Sequence, residues 1–383
     1  MIRFIFALVL AAQFGQRAPL TPAETLLEPA ILKALDEGVA DSTAVTVITG
    51  SDAAAGEILL HCAPQDACAV AGQAMQKLQS LIAAKRAPQP SRTIRIASEA
   101  TASAKAALHI AKSSAHTMQV VRSLWSTAGI SDEVVEVFAT QHGMASAKGF
   151  ENIGQPRWDI LGIPTTSIVA AEGVEGDRQA AFVAAASAYF LATLPNAGSE
   201  ALLSHLIVGA HARLAEDGRK AVAMMGSQQR ASGDVLTMFA LAIEREQRRI
   251  HSFERFVPAP VDPILHSRLL DMEKSIIGVW ASMGLTPAPF VPAAERIRGR
   301  GGEDLRVPSR VGQAPLPTPE PPTALLKFTN VADIIFELGN LIDGKRSISD
   351  IRDILSSEFG AQSLPVISDY FDRLAKAGAL TLK

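Results

Sequence analysis

One stretch constrains the fold of this chain more than any other. An apolar run at 57–61 predicts a strand, residues 66–83 have the composition of a helix, and residues 92–99 predict a second strand. A strand, a crossover helix and another apolar strand form a βαβ unit, in which the two strands are parallel. His61 and Glu99 then fall at the carboxyl ends of these strands, where open α/β sheets build their sites.

Strands and helices continue to alternate through the N-terminal half of the chain. Further strands are predicted at residues 44–49, 118–124 and 165–171, and helices at residues 21–36, 101–113, 132–139 and 178–194. This alternation predicts an α/β fold with a mostly parallel sheet sandwiched by helices.

The strand pattern disappears after residue 199. Three long amphipathic helices are predicted instead, at residues 199–224, 230–256 and 263–284. The second of them carries a charge run, Glu244–Arg249, which we interpret as a solvated helix face with pairing between successive turns.

The last part of the chain is separated from these helices by a proline-rich segment. Residues 287–322 contain nine prolines and little apolar periodicity, so we expect an extended linker or a surface strap. Three helices and a short terminal strand are predicted after it, at residues 331–341, 348–359, 364–377 and 379–382, which suggests a small winged-helix-like module. Its basic and acidic residues are balanced, so it has no basic face for DNA.

The first residues have the pattern of a secretory signal. A basic start at Arg3 is followed by a short apolar stretch and small residues at Ala11 and Ala12. A buried first strand or helix is the alternative. Under the signal interpretation the mature protein is secreted or periplasmic. No other segment has 18 uninterrupted apolar residues, so we expect no membrane insertion of the mature form.

These patterns divide the chain into five parts. We expect a signal peptide at 1–18, an α/β domain at 19–196, a helical extension at 197–285, a proline-rich linker at 286–325 and the winged-helix-like module at 326–383. The net charge of -3 and the pI near 6.3 give no electrostatic reason to expect a nucleic-acid partner.

Two cysteines, Cys62 and Cys68, lie on either side of Pro64. In an oxidising compartment they would form a disulfide if their Cα atoms lie within about 7 Å of each other. Two free thiols packed as small apolar groups are the alternative, and the spacing does not distinguish the two.

Several segments resemble the co-catalytic di-zinc metallopeptidases of the aminopeptidase Y and bacterial leucyl aminopeptidase type. The resemblance is carried by residues 78–82, 92–96 with Glu99, 161–166 and 184–192, and it covers most of residues 55–195. The last 55 residues, through the motif at 340–353, resemble small winged-helix domains related to the pyrroloquinoline quinone synthesis chaperone. The resemblance therefore implies a zinc-exopeptidase-like sheet followed by a winged-helix-like module.

The resemblance also implies a set of site residues. In that family a His-x-Asp pair and further carboxylate and histidine ligands bind two zinc ions, which activate water for peptide cleavage with a carboxylate as general base. Carried over, His61, Asp66 and Glu99 are the metal ligands, and Glu99 is the catalytic carboxylate. Ala63 stands where the family has an orienting aspartate.

Other expected ligands are also replaced in this chain. The segment 119–124 contains no aspartate where the family has one, and the late ligand motif is replaced by a segment offering Glu172 and Asp177 as substitutes. These departures favour a pseudoenzyme scaffold, with weak or no peptidase activity, that binds a peptide or protein partner and holds no zinc. The alternative is an active secreted metallo-aminopeptidase with a reduced zinc site, since three protein ligands and a water can hold zinc.

Overall fold

The computed structural model describes the N-terminal half of the chain in separated segments and the C-terminal module almost throughout. The described residues are 26–38, 47, 48, 51, 56–63, 72, 75, 76, 78–96, 104–112, 119–121, 125, 126, 128–141, 145–147, 163–171, 173–194, 199–226, 232–256, 267, 271, 274, 278, 303–312, 321–327, 331–360 and 362–383. The predicted signal segment, residues 1–18, lies outside them.

Within these residues seven strands form one mixed sheet. The strands are β1 (Val47–Ile48), β2 (Glu57–Ala63), β3 (Thr93–Ile96), β4 (Ala104–Lys112), β5 (Gln119–Val121), β6 (Ala145–Ala147) and β7 (Thr165–Ala170), and their order across the sheet is β1-β3-β2-β4-β7-β5-β6. The four central strands β3, β2, β4 and β7 are parallel to one another, whereas β1 and β5 run antiparallel to their central neighbours. The predicted mostly parallel α/β sheet is confirmed at this level.

The βαβ unit is present at the centre of the sheet. β2 and β3 pair in parallel with Ile58 opposite Ile94, and helical residues 78–83 lie between them in the chain. β2 alternates between two environments, because Ile58 and Leu60 join the main core while Leu59 packs with Ala107 on the opposite face. The apolar run that predicted β2 is therefore buried on both faces of the sheet.

The predicted helix at residues 101–113 is wrong, because this segment forms the central strand β4. Four alanines of β4 gave it a helical composition, yet it pairs in parallel with β2 on one side and β7 on the other. Both of its edges are hydrogen-bonded to neighbours, which outweighs a weak intrinsic helix preference. The short strand β6, with the sequence Ala-Ser-Ala, was not predicted at all.

Among the described residues, three helices pack on the face of the sheet that carries Ile58 and Leu60, and helical Leu78 of the β2–β3 connection belongs to the same core. The three helices are α1 (Pro29–Gly38), α2 (Ile130–Gln141) and α3 (Val174–Thr193), and α2 and α3 touch through an edge-to-face contact of Phe138 with Phe190. The predicted helix at 21–36 is interrupted, because Leu26 is helical, residues 27 and 28 are not, and α1 begins at Pro29, which disfavours helical geometry in the residue before it. The predicted cap at Thr21 lies outside the described residues.

Two long helices follow, α4 (Ser199–Gly226) and α5 (Ser232–His251), and a short 3-10 helix extends α5 to Phe256. They pack against each other, and α4 also packs against α2. Of the predicted third helix, residues 267, 271, 274 and 278 are described, and all four are helical. Among the described residues, no helix combines the length and apolar character needed to cross a membrane.

The C-terminal module contains α6 (Val331–Asn340), α7 (Ile348–Phe359) and α8 (Leu364–Lys376), close to the predicted positions. α8 ends before Gly378, which adopts a positive φ of 72° as expected for a glycine after a helix. The last strand, β9 (Leu380–Leu382), pairs antiparallel with β8 (Pro308–Arg310). Part of the proline-rich segment is therefore a strand of this module's small sheet.

Candidate functional site

The order of the central strands marks one crevice of the sheet. The chain runs from β2 to β3 on one side of β2 and then to β4 on its other side, so the connection reverses direction between β2 and β4. Open α/β sheets bind ligands at the carboxyl ends of the strands flanking such a reversal. His61 lies in β2, two residues before that strand ends at Ala63, and therefore close to this crevice.

The other predicted ligands are not among the residues that the structure describes. Asp66, Glu99 and Glu172 all lie outside the described segments, as does Cys68. Asp177 is described and lies in the first turn of α3, where its backbone N–H donates to the carbonyl of Gly173. The convergence of His61, Asp66 and Glu99 thus stays a prediction.

A polar row crosses the central strands at the level of His61. His61 of β2 is in register with His109 of β4, and His109 is in register with Ser167 of β7. His109 and Ser167 are almost completely buried, and Ser167 Oγ has no hydrogen-bond partner among the described residues. Sequence reasoning did not select His109, because its segment was assigned to a helix.

These residue types are compatible with part of a zinc site. Imidazole nitrogen is a common zinc donor, and two histidines occupy neighbouring positions on β2 and β4 beside the crevice. The aspartate that would orient a ligand histidine is replaced by Ala63, which has no polar atom in its side chain. Among the described side chains, no group of three or more His, Cys, Asp or Glu is arranged to hold a metal ion.

A second concentration of polar chemistry lies between α2, α4 and α5. Arg213 of α4 binds Glu246 of α5 through two guanidinium nitrogens, at 2.8 to 3.1 Å, and also pairs with Glu133 of α2. Arg249 of α5 binds Glu246 at 3.0 Å and Asp132 of α2 at 2.9 Å. We call these five residues, Asp132, Glu133, Arg213, Glu246 and Arg249, the charge cluster.

The charge cluster is desolvated and contains three carboxylates for two guanidinium groups. The side chains of Glu246 and Arg249 are 0% and 2% exposed. Burial raises the pKa of Glu133, against the opposing effect of Arg213 and Arg249. The pKa of Glu246 is lowered although burial opposes its ionisation, because Arg249, Arg213 and Arg245 surround it. Burial acts to raise the pKa of both carboxylates, and their net pKa shifts are opposite because the cationic neighbours outweigh burial only at Glu246.

The cluster also reaches the sheet. Thr166 of β7 donates its hydroxyl hydrogen to Asp132 Oδ1 at 2.7 Å. The helical residue Gly209 of α4 lies against the cluster, since a Cβ atom there would be 2.6 Å from Glu133 Oε2 and 2.9 Å from Arg213 Nη1. The close approach of α4 to α2 at this point requires a residue without a side chain.

The charge run Glu244–Arg249 is partly buried. Its interpretation as a solvated helix face is wrong for Glu246 and Arg249. Glu246 and Arg249 lie in a buried stripe that begins at Ala242 of α5 and ends at Phe253 of the following 3-10 helix, at spacings of four, three and four residues. If the three- and four-residue spacing of the apolar stripe is continued through the charged segment, both residues fall on the side of the helix that faces the core. Charged residues at such positions indicate buried ion pairs.

A further set of contacts joins the C-terminal module to α5 and to the segment Trp125–Ser126. Trp125 is buried, its Nε1–H donates to the carbonyl of Leu241 at 3.2 Å, and its backbone N–H donates to Glu358 of α7. The guanidinium groups of Arg248 and Arg346 lie 4.1 and 5.0 Å from the centre of its ring system. Cationic groups at such distances are attracted to the face of an aromatic ring.

Ser126 completes this junction. Its backbone N–H and hydroxyl donate to the two carboxylate oxygens of Glu337 in α6, at 2.9 and 2.6 Å, and Asn340 donates to the Ser126 hydroxyl at 3.1 Å. Trp125 and Leu241 belong to the same apolar cluster as the core of the module. We call the contacts of Trp125, Ser126, Glu337 and Glu358 the docking junction.

The two regions differ in what they can do. The charge cluster holds three helices together through ion pairs with good geometry, an arrangement that fixes positions. The strand order places the carboxyl ends of β2 and β4 where open α/β sheets bind ligands, so this edge of the sheet is the candidate place of contact with a substrate or partner. Comparison with models of protein families gives no match, and comparison with curated proteins gives none either, so the crevice geometry and the residue types beside it carry the functional argument.

Proposed function

We propose that this chain is an exported homologue of the zinc aminopeptidases whose peptide-binding scaffold is kept and whose metal site is reduced, so that it binds a peptide or protein partner with weak or no cleavage. The observation that carries the proposal is the position of His61 beside the β2–β4 crevice, with Ala63 closing the strand where the family's orienting aspartate would stand. Loss of an orienting carboxylate lowers metal affinity or activity about 10 to 100 fold.

The docking junction supports a role in binding. Through Trp125 and Ser126 the module is attached to the same unit that carries the crevice. A partner would therefore meet a composite surface of sheet edge, long helices and module. A peptide or protein is the partner that the resemblance to the aminopeptidases implies for this surface.

The first experiment measures metal content and turnover in the purified protein. We expect less than one zinc ion per chain and little or no release of nitroaniline from aminoacyl-nitroanilides, with zinc added in excess. Glu99→Gln, which removes the implied general base, should then leave the residual signal unchanged. Zinc-dependent turnover that Glu99→Gln abolishes, while Glu175→Gln on the exposed start of α3 has no effect, would refute the pseudoenzyme proposal.

The second experiment tests binding directly. A mixture of random hexapeptides with free N-termini is incubated with the protein, separated by gel filtration and analysed by mass spectrometry. We expect a subset of peptides to be retained and recovered intact. Recovery of peptides shortened by one N-terminal residue would show that the chain acts as an exopeptidase.

The alternative function is that of an active metallo-aminopeptidase with a reduced site. The register of His61 with His109 favours it, because two histidines then stand beside one crevice. The implied ligands would be His61, Asp66 and Glu99, and bound zinc would supply an activated water. Under this alternative His61→Ala lowers zinc content, whereas His205→Ala on α4 leaves it unchanged; equal zinc content in both variants would rule it out.

A further inference from the structure

The docking junction contains two carboxylates that face the same short segment. Glu358 of α7 accepts a hydrogen bond from the backbone N–H of Trp125, and Glu337 of α6 accepts two from Ser126. Glu358 is half-buried as a residue, but its second oxygen, Oε2, is buried and has no hydrogen-bond partner among the described residues. An ionised carboxylate with a buried, unpaired oxygen is costly.

Charged groups approach the junction from every element packed around it. They are Glu337 of α6, Asp343 and Arg346 of the segment between α6 and α7, Asp217 of α4, and Glu244, Arg245 and Arg248 of α5. The guanidinium of Arg245 is already engaged, with Asp217 at 2.8 Å and Glu246 at 2.9 Å. The strongest neighbouring charge acting on Glu358 is the like charge of Glu337.

Burial raises the pKa of Glu358, Glu337 raises it further, and Arg245 with the Trp125 N–H opposes the shift only in part. When the module separates from Trp125 and Ser126, Glu358 becomes solvated and its pKa returns towards that of an ordinary carboxyl group. At a pH between the two pKa values, the docked state therefore holds a proton that the separated state has released.

We propose that the C-terminal module is a pH-dependent element, held on the Trp125–Ser126 segment when Glu358 carries a proton and released when Glu358 ionises. Protonation removes the repulsion between Glu337 and Glu358 and turns the unpaired oxygen into a neutral hydroxyl. Release exposes Trp125 and Leu241, which are packed with the core of the module in the docked state.

The direction of the effect follows from the raised pKa. A group whose pKa is higher in the docked state contributes its full stabilisation of docking at a pH below its ordinary pKa. This stabilisation is lost as the pH rises through the pKa of the group in the docked state. Between the two values the docking equilibrium falls by up to about tenfold per pH unit, because one proton is exchanged. Docking is therefore tighter in mild acid than at neutral or alkaline pH.

The experiment uses Trp125 fluorescence in the full-length chain. The chain has three tryptophans, so Trp158→Phe and Trp280→Phe together leave Trp125 as the single reporter. Quenching of Trp125 fluorescence by acrylamide is measured at increasing urea concentration, at pH 5 and at pH 8. Acrylamide is uncharged, so its quenching does not itself depend on the charge of the protein. Urea weakens docking enough for a midpoint to be measured at both pH values. We expect Trp125 to become accessible at lower urea at pH 8 than at pH 5.

Variants assign this shift to the proposed group. Glu358→Gln imitates the protonated state, so the shift of its urea midpoint between the two pH values should be much smaller than that of the parent. Glu337→Gln removes the like charge and should reduce the shift, while Glu175→Gln on the distant surface should keep the shift of the parent. An equal midpoint at both pH values in the parent, or an undiminished shift in Glu358→Gln, overturns the proposal.

Circular dichroism confirms folding, and Glu337→Gln remains a test if Glu358→Gln fails to fold. Neither zinc nor peptide enters this measurement, so its outcome is separate from that of the proposed function.

Discussion

Arg249 of α5 and Asp132 of α2 form an ion pair inside the protein, with Nη2 and Oδ2 2.9 Å apart and both side chains at most 3% exposed. The same guanidinium binds Glu246 one turn earlier in α5. One cationic side chain thus neutralises two carboxylates from different helices, and the packing of α5 on α2 depends on its charge.

Replacing Arg249 with methionine should be strongly destabilising. The variant keeps an unbranched side chain but leaves Asp132 and Glu246 buried with fewer cationic partners, and breaking a buried pair in this way costs about 3–5 kcal/mol. Equilibrium unfolding in urea measures the change. Arg219→Met, which removes an exposed ion pair with Glu216, is the matched control and should cost about 0–1 kcal/mol. Equal losses for the two variants would contradict the importance of burial.

Gly209→Ala should also destabilise the chain, although alanine is the better helix former. The added Cβ would meet both carboxylate oxygens of Glu133 within 2.7 Å, and these atoms are held by Arg213 and have little freedom to move. Forcing extra atoms into such a site costs about 1–3 kcal/mol. Gly278→Ala is the control, since its Cβ meets nothing within 4 Å in an exposed helical position and should be neutral or stabilising by up to about 1 kcal/mol. If both substitutions stabilised the chain, the side chains of the charge cluster would have moved to accommodate the added Cβ atom, and the expected steric cost at Gly209 would be wrong.

Elements with a clear local pattern could be predicted from the sequence, and elements decided by their neighbours could not. The apolar run of β2 and the apolar periodicity of α7 both match the burial of these elements. The alanine-rich segment of β4 carries no such pattern, and it is a strand because β2 and β7 pair with it from both sides. The composition of a segment does not reveal which distant segments of the chain pair with it as neighbouring strands.

The same distinction applies to the candidate site. The placement of His61 in a central strand followed from local sequence and is confirmed, whereas its neighbour His109 depends on strand order. The burial of Glu246 and Arg249 depends on partners on α2 and α4, far away in the sequence. A run of charged residues has the same sequence whether it lies on a solvated helix face or in a buried ion-pair network. In the sequence, a buried network is indicated only where charged residues interrupt an apolar stripe.

Glu133→Gln should change how stability depends on pH. Burial raises the pKa of Glu133 in the folded state, so the wild-type chain gains stability from this group as the pH falls through its folded pKa towards the ordinary carboxyl value. Glutamine does not titrate. The stability of the wild type relative to Glu133→Gln should therefore rise between pH 8 and pH 5, by about 1.4 kcal/mol for each unit by which the pKa is raised.

Urea unfolding of both chains at pH 8, 6.5 and 5 measures this difference. Glu175→Gln, on an exposed surface, should track the wild type at every pH. If the wild type lost stability relative to Glu133→Gln as the pH fell, the pKa of Glu133 would have to be lowered in the folded state, and the assigned direction would be wrong.

Thr166→Val tests the link between the sheet and the charge cluster. Valine nearly preserves the shape of threonine but removes the hydroxyl that donates to Asp132 Oδ1 at 2.7 Å. Asp132 would then lose this donor in a buried environment, while Oδ2 keeps Arg249, and the loss of a hydrogen bond to a charged group costs about 1.5–3 kcal/mol. Thr140→Val is the matched control, because its hydroxyl bonds only the Glu136 carbonyl on an exposed helix surface and its loss should cost less than about 0.5 kcal/mol.

A double-mutant cycle with Asp132→Asn separates the hydrogen bond from the packing of the methyl groups. If the cost of Thr166→Val comes from the carboxylate, the substitution should cost less in the Asp132→Asn background, where the acceptor is a neutral amide, and the coupling should be about 0.5–3 kcal/mol. If the two changes simply add, the Thr166 hydroxyl does not stabilise Asp132. The charge cluster would then hold the helices to one another without fastening them to β7, the strand in which Thr166 lies.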